Sequence, residues 1–296
     1  MIDWTADHDD AEVAVAAARA GADVVRRMYG QDLDRTDKGA GDFATAADLA
    51  AERAILDLLR TARPGDAIVG EETGRQGAAG SGREWLVDPL CGTLNYASGT
   101  LAVGVNVALR EGAAAVADPF TGEVYATDGR RAWCRTGDGE APLVPTGNAD
   151  TPLATTGDAD TPLVPTGSAV TPLVPTPATH LVDVNLDPPF PSAPAFRAVD
   201  LLAHPAFVAR FRPRVLSTSL ALAWVAAGKR AAYVTDGGDL SGSVHFAAGI
   251  ALCRAAGCVV TGVDGLPIGR GGKGLVAAAD EDTHRALMSM ITTSGS

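Results

Sequence analysis

The run Trp85-Leu86-Val87-Asp88-Pro89-Leu90-Cys91-Gly92-Thr93 constrains this chain more than any other stretch. Its first three residues read as a buried strand, Asp88 stands at the strand end, and Pro89 and Gly92 turn the backbone sharply beyond it. Such a turn can aim a carboxylate, a backbone carbonyl and the Thr93 hydroxyl at one point. A second apolar run, Ala67-Ile68-Val69-Gly70, delivers Glu71 and Glu72 just past another strand end. Strand ends that converge make ligand sites in open sheets. Carboxylates gathered there repel unless a cation or a proton lies between them. Oxygen donors of this kind suit Mg²⁺, which takes one or two protein carboxylates and keeps water or phosphate oxygens for the remainder. Taken alone, Glu71 and Glu72 read most simply as solvated loop acids; the Asp88 turn beside them favours a site.

The remaining periodicity describes alternating helices and strands. Residues 11–29 carry apolar positions at helical spacing with Gly30 as a stop, and 45–61 form a second helix ended before Pro64. Strand-like runs lie at 67–69, 85–87, 101–109, 112–117 and 123–127, with hairpin signals at Glu111-Gly112 and Thr121-Gly122. A first subdomain, residues 1–140, is therefore expected to be a mostly antiparallel sheet with helices on one side. Residues 141–180 then repeat every ten residues around Thr-Pro-Leu-Val-Pro-Thr. Proline at this density removes backbone donors and blocks helix and central strand. The block reads as a flexible, partly polyproline-like surface insertion, and expansion of a tandem repeat accounts for it more simply than a lid or a partner-binding role. A second subdomain, 181–296, is expected to hold strands at 181–185 and 231–235 and helices at 205–211, 217–228 and 245–256. His245 would open the last of these, beside backbone donors suited to a phosphate. A capping or surface histidine is the plainer alternative.

Several motifs recur in one order. They are Asp42-Phe43-Ala44-Thr45-Ala46-Ala47-Asp48, Gly70-Glu71-Glu72, Asp88 to Tyr96, Asp118-Pro119-Phe120-Thr121-Gly122-Glu123, Ala247-Ala248-Gly249 and Ala255-Ala256-Gly257. On these the chain resembles the inositol monophosphatase family of Mg²⁺-dependent, lithium-sensitive phosphatases, from near residue 10 to near residue 280 with one interruption. The resemblance implies an α/β layered sandwich of αβαβα architecture with two sheet-containing subdomains. It implies a first metal site at Glu71, Asp88 and the Leu90 carbonyl, a water positioned by Asp48 and Thr93, and substrate contacts at Gly92, Thr93 and Ala247. The substrate would be a small phosphorylated molecule, and a homodimer is open.

Two departures fall where the family keeps acidic ligands of a second metal. Cys91 replaces the second Asp of the signature turn, and His245 replaces the Asp before Ala247-Ala248-Gly249. Because those two carboxylates bind one ion in the family, the resemblance implies that Cys91 and His245 lie close together. Arg254 also stands where the family has an acid. Hydrolysis by paired metals uses one ion to activate water and another to steady the leaving oxygen. A thiolate and an imidazole serve Mg²⁺ poorly and Zn²⁺ well. Three readings follow: a silenced second site, which drift to neutral residues explains most simply; a Glu71/Asp88/Cys91/His245 set for one softer metal such as Zn²⁺; or Cys91 and His245 as a nucleophilic or acid/base pair. No third residue in the sequence orients His245.

Composition bounds the rest. The 296 residues are 46% apolar and 20% charged, which suits a globular chain with two sizeable cores. A net charge of −12 argues against a nucleic-acid partner. No stretch approaches the roughly eighteen uninterrupted apolar residues of a membrane span, and the acidic start lacks the features of a signal peptide, so the cytoplasm is expected. Four cysteines, Cys91, Cys134, Cys253 and Cys258, show no metal-finger spacing or secreted framework; only Cys91 stands on a turn. Two functions from different classes survive: an enzyme of altered mechanism acting on a phosphorylated metabolite by hydrolysis, elimination or transfer, and a catalytically silent phosphate-ligand-binding protein or partner subunit. Retention of Asp48, Glu71, Asp88 and Thr93 favours the enzyme.

Overall fold

Asp9 starts the first helix. Its carboxylate accepts the Glu12 amide at 2.8 Å while Glu12 accepts the Asp9 amide at 3.1 Å, a reciprocal cap that begins α1 (Asp10–Met28). A hairpin of β1 (Arg35–Gly39) and β2 (Asp42–Thr45) leads into α2 (Ala46–Ala62), which Thr45 and Asp48 cap in the same reciprocal way. The computed structural model describes residues 8–31, 34–39, 42–77, 80–137, 169–186, 196–240 and 242–294.

The next strands are β3 (Ala67–Gly70), β4 (Gly74–Gly77) and β5 (Glu84–Cys91), followed by the short α3 (Thr93–Ala97). After them come β6 (Gly104–Leu109), β7 (Ala114–Ala117), β8 (Val124–Thr127), β9 (Ala132–Thr136) and β10 (Ala169–Pro172). These eight strands form one sheet in the order β10-β9-β8-β7-β6-β5-β3-β4. Every pairing is antiparallel except β3 with β5.

The second half supplies β11 (Leu181–Asn185), α4 (Asp200–Ala203), α5 (Pro205–Arg210), β12 (Arg212–Val215), α6 (Leu220–Ala226) and β13 (Ala232–Thr235). It ends with α7 (Ala247–Ala256), β14 (Val259–Thr261), β15 (Leu275–Ala278) and α8 (Glu281–Ser294). Its sheet runs β12-β11-β13-β15-β14.

Three cores join these elements into five layers. Strand residues alternate faces, so Trp85, Val87, Val105 and Val107 pack against Val13, Ala17, Ile55 and Leu59 of α1 and α2. The opposite face, with Ala108, Ala114 and Tyr125, meets Leu222, Ala223, Leu252 and Cys253 of α6 and α7, which also cover Tyr233 and Ala277 of the smaller sheet. Val182, Val184 and Val234 then bury Phe207, Phe211 and Leu287 on the far side. The layering is αβαβα, as expected. Among the described residues no helix is long and apolar enough to cross a membrane.

Two expectations need correction. The proline-rich insertion was expected to reach residue 180, but 169–172 form β10 and Leu173 is buried in the middle core. Pro172 fits because β10 is an edge strand, where a missing donor faces away from the ladder; residues 141–168 lie outside the described residues. The last helix of the site region begins at Ala247, not at 245, so His245 belongs to the turn before it.

Helices α6 and α7 approach closely through Gly249, where an added Cβ would sit 2.6 Å from Leu222 Cβ. Alanine normally favours a helix interior over glycine, yet Gly249→Ala should here destabilise the fold by about 1–3 kcal/mol, because the overpacked contact cannot relax without moving a helix. Urea unfolding midpoints of the two proteins would check the sign.

Candidate functional site

Parallel pairing sets the site's position. Because β3 and β5 run the same way, Glu71 and Asp88 leave the sheet at one end, and the Glu71 amide extends the ladder to the Val87 carbonyl at 3.0 Å. Asp88 pairs across from Asn106 on the face opposite Trp85 and Val87, so it points between the two sheets. The register then slips between Asp88 and Cys91. Pro89 has no amide to continue the ladder, and Gly92 turns the chain at a φ of 101°, where a side chain is strained. An irregularity of this kind re-aims side chains.

Asp88 is fully buried and its oxygens are occupied. Oδ1 accepts the Leu90 amide at 3.1 Å; Oδ2 accepts Asn106 Nδ2 at 3.3 Å and lies 2.8 Å from His245 Nδ1. Cys91 Sγ accepts the Ser219 amide at 3.2 Å. One donor atom from each of Asp88, Cys91 and His245 falls within 4.8 Å of the others. Glu71 Oε2 lies 4.0 Å from His245 Nδ1, buried and without a hydrogen-bond donor.

Protons balance this cluster in the metal-free protein. Burial and the neighbouring Asp88 charge push the Glu71 carboxyl up to about 8. Burial opposes the charge on His245, but Asp88 outweighs it and raises the imidazole to about 12. Burial would raise Asp88 too, yet the charge and hydrogen bond of His245 hold it below its ordinary value. Burial and Asp88 push the Cys91 thiol up to about 11.

Thr93 and Asp48 stand beside the turn. Thr93 Oγ1 lies 3.0 Å from Asp48 Oδ1 and 3.1 Å from the Leu90 carbonyl oxygen, two acceptors for its one hydrogen. Asp48 Oδ2 accepts the Thr45 amide at 2.8 Å and the Thr45 hydroxyl at 2.6 Å. The residue that caps α2 thus also reaches the site, and burial raises its carboxyl above the usual range.

Sequence reasoning missed three supporting residues. Glu52, one turn after Asp48 on the buried face of α2, accepts the Glu72 amide at 2.8 Å and the Thr73 amide at 3.0 Å, which fixes the turn that presents Glu71. Gly70 leaves room for it, since a Cβ there would meet Glu52 Oε1 at 2.6 Å. The signal was available: a glutamate at an apolar phase of the helix, four residues from Asp48. Lys38 on β1 bonds Glu71 at 3.0 Å and Glu72 at 2.7 Å, and these carboxylates raise its amine above the ordinary value although burial works against the charge. Asn106, in the middle of an apolar strand, gave no chemical cue.

The cluster borders a cavity of about 290 Å³. Glu71, the Leu90–Asn95 turn, Asn185, Ser217–Ser219, Tyr233, His245 and Phe246 line it. Asn95 closes one wall by donating to the Ser217 carbonyl at 2.7 Å and the Ala102 carbonyl at 2.9 Å. Of the residues singled out in the sequence, Glu71, Leu90, Cys91, Gly92, Thr93 and His245 line the cavity. Asp48 and Asp88 sit buried behind that surface. Ala247, expected at the substrate, is not among the lining residues, whereas Phe246 is.

Residues 7–295 match the model of the inositol monophosphatase family. The chain belongs to this family. An inositol-1-monophosphatase of Caulobacter vibrioides is 39% identical over 118 residues, 38% of this chain and 46% of that protein. The Nus factor SuhB of Escherichia coli K12 is 32% identical over 132 residues, 42% of this chain and 49% of that protein. The chain thus spans about half the length of the curated relatives it matches. Among solved structures, the extragenic suppressor protein SuhB of Bartonella henselae aligns with a TM-score of 0.69 at 22% identity, over 94% of this chain and 96% of that one. The Thermotoga maritima IMPase aligns at 0.68 and 18% identity, over 95% of each; these two likenesses establish the fold.

Two measurements follow from the buried charges. Glu52→Gln would set an amide NH₂ against a backbone donor and should cost about 1–3 kcal/mol of stability, read by chemical unfolding. In the metal-free protein Glu71 holds a proton between its ordinary 4.5 and about 8, and His245 between 6.5 and about 12. The unfolded chain has released both there, so stability falls as pH rises through that window; Asp88 acts in the opposite sense only below 3.8. With chelator present, the melting temperature should drop between about pH 6 and pH 9, and Glu71→Gln should flatten the limb below about pH 8.

Proposed function

We propose that this chain is an enzyme acting on a small phosphate monoester, with one retained oxygen-lined cation position and an altered second one. The observation that carries the reading is the orphaned Glu71 Oε2, buried within 4.0 Å of His245 at the mouth of a cavity that also receives the Asp88 turn. Buried polar atoms are normally paired; here Glu71 must keep a proton to face the Asp88 carboxylate, and two buried carboxyls held together in this way fit a site that takes a cation.

Glu71, Asp88 and the Leu90 carbonyl would hold Mg²⁺, a hard ion matched by three oxygens. When bound, it supplies positive charge to a phosphoryl oxygen. The chain's own residues do the remainder. Asp48, held by two bonds from Thr45, fixes the Thr93 hydroxyl, and the pair orients a water by accepting its proton. Gly92 keeps the backbone bare where the phosphate would approach, and Asn95 holds that turn against the Ser217 loop.

Cys91 and His245 supply no anionic oxygen for a second hard ion. A thiol raised to about 11 is also a weak nucleophile near neutral pH, which speaks against covalent catalysis by Cys91. One observation favours a second reading: His245, half-exposed and held cationic by Asp88, can attract a phosphate without any metal, as a silent ligand-binding protein would need.

A panel of phosphate esters assayed with Mg²⁺, Mn²⁺ or Zn²⁺ separates these readings. The double variant Cys91→Asp with His245→Asp restores two oxygen donors, and Mg²⁺-dependent phosphate release should rise about a hundredfold or more over the parent, the effect of several kcal/mol of added charge stabilisation. Fast turnover of the parent with Mg²⁺ alone would overturn the altered second position. No turnover by either protein, together with a higher melting temperature in inorganic phosphate, would favour the binding protein.

A further inference from the structure

We propose that Asp88, Cys91 and His245 form a three-ligand site for a zinc-class cation, with its fourth position open to the cavity. The proposal rests on the reading of that cavity as a cation-assisted phosphate-ester site and names the ion that its second position takes.

Donor chemistry is the first argument. A sulfur, an imidazole nitrogen and a carboxylate oxygen lie within 4.8 Å of one another. Mg²⁺ needs near-octahedral oxygen ligation, and two of these three donors give it none. Zn²⁺ accepts all three, with bonds of about 2.0–2.3 Å, so its ligand atoms stand roughly 3.3–3.8 Å apart. His245 Nδ1 and Asp88 Oδ2 are now 2.8 Å apart across a shared proton. Replacing that proton with an ion requires a spread of about half an ångström, small for His245, whose side chain is 44% exposed.

The surrounding groups are those a zinc site uses. The Ser219 amide donates to Cys91 Sγ at 3.2 Å and Asn106 Nδ2 to Asp88 Oδ2 at 3.3 Å. Partners of this kind orient ligands and steady their charge. Glu71 Oε2, unpartnered and 4.0 Å from His245 Nδ1, can accept a hydrogen bond from a water on the ion. Structural zinc sites close with four protein ligands, whereas catalytic ones keep three and an open position. Cys91 and His245 both line the cavity, so the open position faces the space a substrate would occupy.

Cobalt(II) reports on such a site directly, because a thiolate ligand gives a near-ultraviolet charge-transfer band and four-coordination gives intense visible bands. The full-length chain, stripped with chelator, should take up one Co²⁺ with both features, and Zn²⁺ should displace it. The other cysteines do not confuse the signal: Cys134, Cys253 and Cys258 are buried in the middle core. Cys91→Ser should abolish the charge-transfer band and weaken Zn²⁺ binding by more than the roughly 10–100-fold that loss of an outer partner costs. His245→Gln should shift the visible bands and weaken Zn²⁺ comparably, with unchanged circular dichroism confirming that both variants fold. A parent protein without the thiolate band, or a band that survives Cys91→Ser, would overturn the site. Turnover is scored separately: the cobalt signature without activity on any ester would sink the proposed function and leave the site standing, and slow Mg²⁺-dependent turnover without the signature would sink the site and leave the phosphate-ester reading standing.

Discussion

Strands β3 and β5 are the one parallel pair in an otherwise antiparallel eight-stranded sheet, and the site depends on that pairing. An antiparallel partner would send Glu71 to the opposite end of the sheet from Asp88. Parallel neighbours bring both carboxylates out at the same edge, about one strand spacing apart, where their repulsion must be met by something positive. The sheet's hydrogen bonds and the three cores hold the two acids together; nothing local to either turn would.

In the metal-free protein that positive charge comes from protons and cations of the chain itself. Lys38 reaches over from β1 to Glu71 and Glu72, and His245 arrives from the turn before α7 to meet Asp88. The site is therefore assembled across a layer boundary. Its carboxylates belong to the first sheet, its imidazole to the turn before α7, and the Ser219 amide that meets Cys91 to the entrance of α6. Packing of α6 and α7 between the sheets fixes their relative places, so a contact as remote as Gly249 against Leu222 bears on the geometry of the donors.

The supporting residues do two jobs at once. Asp48 caps α2 and holds Thr93; Glu52, one turn along, holds the backbone that carries Glu71. A buried carboxylate in a helix would otherwise be costly, and both are retained because backbone donors and hydroxyls satisfy them. The helix face that packs on the sheet thereby also supports the site from behind.

Much of the fold was legible in the chain itself. Helical spacing located α1 and α2, short apolar runs located β3, β5 and β7, and the Asp-Pro turn with Gly92 marked where the strand ends. Local chemistry also nominated Glu71, Asp88, Cys91 and Thr93, because strand ends and tight turns are written in neighbouring residues. Less was legible wherever partners come from afar. The decapeptide block looked uniform, yet the junction of its last two copies became an edge strand because β9 offered unpaired backbone groups that a proline could tolerate at the rim. Lys38, Glu52 and Asn106 carry no motif, since their roles come from which strand or turn lies beside them. The sequence by itself determined which donors exist and that two of them are sulfur and imidazole. The resemblance implied that Cys91 and His245, 154 positions apart in the numbering, lie close together; only the tertiary structure decided that they meet at the buried Asp88 carboxylate, because that meeting requires two sheets to close on a shared layer of helices.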